Sequence, residues 1–471
     1  MGEGVMDVAT FNVIQLGVGF FFNFFAFNSQ GFIEEPVISS AADRASINKH
    51  AGYYSLSIIY ATFTLSNFIA APVVGMLGPK WAMVFGVMCY AVFQIGFLFL
   101  NQVYLYITSA ILGIGAAILW TGQGTYLSAN CTEKTTGRNS AMLWGLSEGC
   151  MVGGGIFLFI VFHSSDTTDN IPDHTVKLLY ACFTIVSVIA AIILALLRTP
   201  PYEDKMKHNG DYVALTLSTF KLMKTKKMIL LAFVFAYTGI EQSFWTGIYP
   251  TCISFTKQLG SNTNSLLALN SITSGLGQIA AGLLFGILGD RTRKIGRDSI
   301  IFLGTTVHLL VFVGVFINFP ADASLHSTND SALITPSVAL ALVCGGLLGF
   351  GDACWNTQIY SLLCDVYPHK SSQAFAIFKF YQSGLSCAAF FYSSKLQLTW
   401  HLLIMVVTSL IAAVCYFGVE RIARTAPRVN LEMGVEKMDK VAHTNEGLEK
   451  ENWDDPLPEP PSSASIGRTH L

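Results

Sequence analysis

The chain has 471 residues, of which 52% are hydrophobic and only 12% charged, and its mean hydropathy is positive. Soluble domains carry about a quarter of their residues as charges, so water is excluded as the main solvent of this chain. A formal net charge of −2 makes no field that would gather nucleic acid, and no nucleic-acid partner is expected.

Met1–Thr10 has neither the basic start nor the small-residue cleavage site of a removable signal, so the first apolar run is expected to remain as a spanning helix. A helix needs about 20 mainly apolar residues to cross the hydrocarbon, where it must satisfy its own backbone polar groups. In chain order the runs that meet this rule are Val8–Phe27, Tyr53–Leu77, Trp81–Leu100, Val103–Tyr126, Asn139–Phe162 and Thr175–Leu197. Met228–Ile253, Ser265–Leu288, Ser299–Phe319, Ser337–Leu363, Ser372–Tyr392 and Leu398–Val419 follow. The expectation is an all-α polytopic membrane protein of twelve transmembrane helices, with the lipid bilayer as its first partner. The eighth span, rich in Ser, Asn and Gly, and the eleventh, which carries a lysine, fit the rule least well. Cys89, Cys150, Cys182, Cys344, Cys354, Cys387 and Cys415 lie inside these runs, where thiols act as small hydrophobes, and no structural disulfide is expected.

Basic residues in the loops set the orientation. The side of the N-terminus carries 22 of them, including Lys80, Lys134, Arg138, Arg198, Lys226, Lys227, Arg297 and Lys370, against 5 on the other side: Arg44, Lys49, Lys177, Lys257 and Lys395. Both termini are therefore expected in the cytoplasm. The longest connection mixes Pro200, Pro201, acids and a basic cluster, and reads as a linker between halves. The expected division is a six-helix N-terminal half (1–197), a cytoplasmic linker (198–227), a six-helix C-terminal half (228–419) and a disordered cytoplasmic tail (420–471). The tail is proline-rich around Pro456 to Pro461 and too poor in apolar residues to order itself.

An internal repeat gives these spans an architecture. The second span ends Ile69-Ala70-Ala71-Pro72-Val73-Val74-Gly75 and the eighth ends Ile279-Ala280-Ala281-Gly282-Leu283-Leu284-Phe285-Gly286, matching with one insertion. Leu112-Gly113-Ile114-Gly115 with Trp120 and Gln123 corresponds to Leu348-Gly349-Phe350-Gly351 with Trp355 and Gln358. Ala141 and Gly149 are spaced as Ala376 and Gly384. Three collinear pairs, each matching a span with the one six later, point to two pseudo-symmetric six-helix halves related by an axis along the membrane normal.

The turn after the eighth span, Gly286-Ile287-Leu288-Gly289-Asp290-Arg291 followed by Gly296-Arg297, resembles the cytoplasmic signature of the major facilitator superfamily. The first-half copy, Gly75-Met76-Leu77-Gly78-Pro79-Lys80, has no acid and departs from it. More narrowly, Gly113, Gly115, Ala117, Trp120, Thr121, Gln123 and Gly124, the later Gly137-Arg138-Asn139-Ser140, the run Gly349 to Gln358 and Ala374-Phe375-Ala376-Ile377-Phe378-Lys379-Phe380 are similar to the uncoordinated-93-like family of that superfamily. The resemblance covers the membrane region, not the linker or the tail. It implies a major facilitator fold that rocks about a central cavity. It supplies no solute, because the family also holds channel-regulating subunits and receptor escorts.

Ionisable side chains are costly inside a membrane, so each is a candidate site. Five are singled out: Glu148, Glu241, His308, Asp352 and Lys379. In the resembled fold all but His308 fall on helices at or beside the cavity, and His308 is expected as a hydrogen-bonded packing residue on an outer helix. Glu241 has Tyr237 and Trp245 one turn away on the same face, and Asp352 has Trp355 and Asn356. Such acidic, aromatic-lined spots suit a cation or a coupled proton. The competing expectation is an ion pair of Lys379 with Asp352 or Glu241 that only holds helices together. One lysine stands against three acids, so at least one acid lacks a lysine partner. Lys379 takes the repeat position of Trp144, and Glu148 that of Ser383, so the charges break the symmetry. Asn12, Gln15 and Asn23 share a face of the first helix, and Gln123 and Gln358 are their expected counterparts in the cavity; for each amide, interhelical bonding is the alternative.

Of two sequons, Asn130-Cys131-Thr132 is placed inside and Asn329-Asp330-Ser331 outside, so glycosylation is expected at Asn329. There is no phosphate-binding loop or zinc-protease motif in the sequence, and no enzyme activity, cofactor or metal is expected. Two functions stay open. One is a secondary transporter of an unidentified small solute by alternating access, with proton coupling as an option. The other is a non-transporting regulatory or trafficking subunit with a membrane-protein partner.

Overall fold

The computed structural model describes residues 3–45, 47, 51–164, 173–202, 212–260, 263–287, 296–393 and 395–425. Helices dominate these residues: α1 (Glu3–Ala45), α2 (Ala51–Ile95), α3 (Gln102–Ala129), α4 (Thr136–Ser164), α5 (Asp173–Ala195), α6 (Tyr212–Met223), α7 (Lys226–Ser243), α8 (Tyr249–Phe255), α9 (Thr263–Ile287), α10 (Arg297–Asn318), α11 (Val338–Val366), α12 (Ser371–Ser393) and α13 (Leu398–Thr425). Ten helical segments among the described residues are long and apolar enough to cross a bilayer. The outward face is apolar as well: Leu65, Leu196, Phe302, Phe391 and Val414 are between 65% and 78% exposed. In water such a surface would aggregate, whereas lipid tails cover it at no cost. All ten cysteines are free thiols.

The second and third expected spans share α2, which breaks at Gly78. Its φ of 72° is a backbone state that only glycine adopts cheaply, and Pro79 follows at the first position of the next arm, where its missing N–H is not needed. Within the expected linker, 212–223 forms the helix α6. This helix buries Leu215, Thr219 and Leu222 and exposes Val213 and Leu217. Its Phe220 ring stacks on Phe68 with centroids 5.3 Å apart, and Ser218 accepts a hydrogen bond from Gln373 at 3.2 Å. The basic and proline residues at its flanks hid a short amphipathic stretch that is a helix only because α2 and α12 receive its apolar side.

Small residues let the long helices approach, as membrane packing requires. α4 crosses α9 at Gly145 and Gly282, where a Cβ on Gly282 would lie 2.7 Å from the Gly145 Cα. α9 meets α11 at Gly277, where a Cβ would run into the Gly346 carbonyl. α3 lies on α2 with Gly113 against the Ile59 carbonyl, and α7 lies on α12 with Gly239 against the Gln382 carbonyl. The elements before α6 thus meet those after it chiefly through α4 with α9 and α2 with α12.

Candidate functional site

The wall of the site begins with a break that periodicity alone does not reveal. After Ser243, α7 widens into a π turn, Phe244–Ile248, in which the Tyr249 N–H bonds to the Phe244 carbonyl five residues back. Pro250 opens α8 just beyond and has no N–H to offer the ladder, so the ordinary register cannot continue. The hydroxyls of Thr246 and Thr251 donate to the carbonyls of Gln242 and Gly247 at 2.7 Å and 2.8 Å. The wide turn presents Gln242, Trp245 and Thr246 to a cavity of about 300 Å³.

This cavity is lined by Trp120, Trp144, Trp245, Tyr60, Tyr90 and Phe24, with Glu148, Asp352, Lys379, Asn356, Gln382 and Asn28 among them. Lys379 on α12 sets its Nζ 4.1 Å from the centre of the Trp120 ring and 4.6 Å from that of Phe378, and donates to Gln382 Oε1 at 2.6 Å. The sequence offered an ion pair with Asp352 or Glu241 as one expectation. Neither carboxylate comes within ion-pair distance, because the aromatic faces and Gln382 already occupy the ammonium. On α11, Asp352 Oδ1 accepts from Asn356 Nδ2 at 2.8 Å, while Asp352 Oδ2 and Asn356 Oδ1 are buried without a donor.

Glu241 lies behind this wall, out of the cavity. Both of its oxygens are buried without a donor, its carboxyl adjoins that of Asp352, and His308 Nε2 is 3.7 Å away. Nε2 also faces the Leu348 carbonyl at 3.4 Å, so the ring hydrogen is assigned to Nε2, and Nδ1 accepts from the Tyr237 hydroxyl at 2.5 Å. His308 is thus hydrogen-bonded, and it also stands beside Glu241, which no spacing in the sequence indicates. Asp352, Glu241, His308 and Tyr237 form a chain of titratable groups leading away from the cavity.

The structure therefore brings Glu148, Asp352, Asn356 and Lys379 together at the cavity and leaves the other sequence candidates outside it. Trp355 is buried against Tyr237 and Tyr416. Gln358 Nε2 donates to Thr357 Oγ1 at 3.0 Å, and Gln123 Oε1 accepts from Tyr360 at 2.9 Å. Asn12 donates to Asn130 Oδ1 at 2.9 Å and Gln15 to the Ile193 carbonyl at 3.0 Å. The amides of Gln123, Asn12 and Gln15 act as interhelical bonds here, whereas that of Gln358 bonds within its own helix. Gln382, Gln242 and Asn28 were not singled out in the sequence. Gln382 had a signal, since it follows Lys379 by one helical turn.

The amides are tied up because the cavity is closed at the end that holds the start of α1 and the end of α13. Thr136 donates to Asp365 Oδ1 at 2.7 Å, Arg297 binds Asp365 Oδ2 at 2.5 Å and Glu420 at 2.9 Å, and Phe375 fills the space over Gly124. Of the signature residues, Gly286 lies in the last turn of α9, Gly296 precedes α10 with φ 96°, and Arg297 makes the ion pairs just named, whereas Asp290 and Arg291 lie outside the described residues. The cavity instead reaches Gly31, Leu56, Thr251, Ser324 and Ser393 at the opposite end. Asn329 is exposed, and Asn130 is fully buried.

Residues 43–417 match the family described as ion channel regulatory protein UNC-93. The UNC93-like protein MFSD11 of Xenopus laevis is 37% identical over 431 residues, covering 87% of this chain and 95% of that protein. Among solved structures, the proton:xylose symporter XylE superposes with a TM-score of 0.61 at 13% identity, covering 89% of this chain and 96% of that one. The transporter FucP in its outward conformation superposes with a TM-score of 0.57 at 13% identity, covering 89% and 100%. These two likenesses show the major facilitator fold.

Proposed function

The chain belongs to the UNC-93 family, with UNC93-like protein MFSD11 closely related to it, within the major facilitator superfamily; from that premise we propose that it is a secondary transporter that moves a small solute by alternating access. One observation carries this. The cavity holds charges that are not locked in pairs, and it is sealed at one end by polar ties while it reaches the other. A scaffold needs no such space, whereas a transporter needs a polar path with a titratable group. The adjoining carboxyls of Asp352 and Glu241 are a place for one proton next to the solute space, and on that ground the proposal includes proton coupling. Within it, Glu148, Asn356 and Lys379 contact solute or proton, and Glu241 acts from behind through Asp352.

The same proposal takes the chain as twelve spans in two halves, 1–197 and 228–419, joined by 198–227, with both termini and the tail 420–471 cytoplasmic. Tyr54–Phe99 is 46 residues long, about 69 Å of helix at ~1.5 Å per residue, which is two crossings of a ~30 Å core divided at Gly78. α12 has a length of 23 residues, and most of its polar residues are buried inside the protein and not on lipid, with Lys379 against Trp120 and Gln382 at the cavity. The signature Gly286, Asp290, Arg291, Gly296 and Arg297 is proposed as the latch of the closed end.

The second reading is favoured by the family description itself, which names an ion channel regulator. There the chain is a non-transporting subunit of a membrane-protein partner. Purified protein in liposomes, scanned against a solute panel with and without a pH gradient, separates the two. Saturable uptake that follows the gradient is the expected result. No uptake of any solute, together with stoichiometric proximity labelling of one channel or receptor in cells, sinks the transporter and leaves the subunit.

A further inference from the structure

The cavity meets its contents with one basic and two acidic side chains, Lys379 against Glu148 and Asp352, and Glu241 adds a third acid directly behind Asp352. Lys379 does not cancel this excess locally, since its close contacts go to Gln382 and to the rings of Trp120 and Phe378. Asp352 is 3% and Asn356 2% exposed, and each keeps one oxygen without a donor on the same cavity wall, one helical turn apart. A buried acceptor left without a donor is costly, a cost relieved by a ligand that brings N–H groups and deepened by one that brings more acceptors.

The rest of the wall is aromatic, and it already solvates one ammonium: the tethered amine of Lys379 sits over Trp120 at cation–π distance. The volume of about 300 Å³ takes about ten non-hydrogen atoms at the ~30 Å³ that a water molecule occupies in the liquid. An excess of acidic side chains, unfilled acceptors, aromatic faces and this size select the same chemistry. We infer that the cavity binds a small organic ammonium ion with an apolar or aromatic body, its N–H groups on Asp352 and Asn356 and its body against Trp120 and Trp245. This assigns a substrate class to the cavity of the transporter proposed above and rests on that cavity being a solute site.

Three of the seven tryptophans, Trp120, Trp144 and Trp245, line the cavity and report on its contents. The full chain in lipid nanodiscs, with no gradient, is titrated with phenethylammonium and with two compounds of similar size, neutral phenethyl alcohol and anionic phenylacetate. Saturable quenching and a raised Tm are expected with the ammonium, with the alcohol and the acid weaker by about tenfold or more, as the loss of one charge-assisted hydrogen bond gives. Asp352→Asn should raise the half-saturating ammonium concentration by about the same factor. If that variant does not fold, the three-ligand comparison on the unaltered chain decides alone. The inference is overturned by an acid or alcohol that binds as well as the ammonium, or by an ammonium with no saturable signal in the millimolar range. Ammonium that binds but is never taken up into liposomes refutes transport and leaves this site standing; uptake of a sugar or an acid without ammonium binding does the reverse.

Discussion

The ammonium of Lys379 lies 4.1 Å above the ring of Trp120, and this contact joins α12 to α3 across more than half the sequence. A desolvated cation–π contact contributes up to about 2 kcal/mol. Trp120→Leu is expected to lower the stability of the purified protein by roughly 1–2 kcal/mol. Lys379→Met keeps the aliphatic stem and should cost little more when added to Trp120→Leu. A double-mutant cycle read by thermal unfolding checks this; full additivity would show that the contact contributes nothing.

Asp352 shares its surroundings with Glu241 behind it, His308 beyond that, and Lys379 and Glu148 across the cavity. Protons that enter from the open side fill the same carboxylate that a bound cation uses. Ammonium binding is therefore expected to weaken as pH falls and to recover as it rises. In Glu241→Gln the neighbouring carboxyl is gone, and the pH dependence of the half-saturating concentration should flatten while binding persists. A Glu241→Gln profile that overlays the parent would remove Glu241 from the proton path.

At the closed end, Thr136 and Arg297 hold Asp365 from two different helices, α4 and α10. Asp365→Asn removes the charge that draws Arg297 in, so the end should open more often. Cys131 and Cys364 are buried nearby and serve as native reporters. Their labelling by a membrane-permeant maleimide, resolved by mass spectrometry, should speed up severalfold in the variant, with exposed-side Cys387 unchanged. Equal rates at Cys131 and Cys364 would show that the tie does not hold the end shut.

The contact of Gly145 with Gly282 leaves no room for a methyl group, since the neighbour is backbone and cannot rotate away. Gly282→Ala must push α4 and α9 apart and is expected to cost roughly 1–3 kcal/mol. The reading is a lower Tm and a smaller monodisperse fraction in detergent. A Tm within error of the parent would mean that this crossing relaxes freely.

The exposed Asn329 and the buried Asn130, which accepts from Asn12 and donates to the Tyr126 carbonyl at 2.9 Å, predict one glycan. Deglycosylation should shift the mobility of the parent chain and of Asn130→Gln but not of Asn329→Gln. A shift that survives in Asn329→Gln and vanishes in Asn130→Gln would invert the topology.

Much of this protein is additive along the chain, and that much the sequence by itself determined. Apolar length marked most of the helices to within a few residues, as with Ser337–Leu363 against α11 at Val338–Val366, because the cost of burying backbone and charge in lipid is a sum over neighbouring residues; it missed that α1 runs on past Phe27 to Ala45. The family-specific residues from Gly113 to Gly124 and from Gly349 to Gln358 are local strings and were readable for the same reason. The facing of each side chain is not such a sum. Only the tertiary structure put Glu241 behind Asp352, brought His308 beside it, aimed Lys379 at Trp120 and not at an acid, and tied Gln123 and Asn12 into interhelical bonds. Those outcomes depend on the rotation of each helix against partners that lie hundreds of residues away, on the π turn before Pro250, and on which end of the cavity is closed.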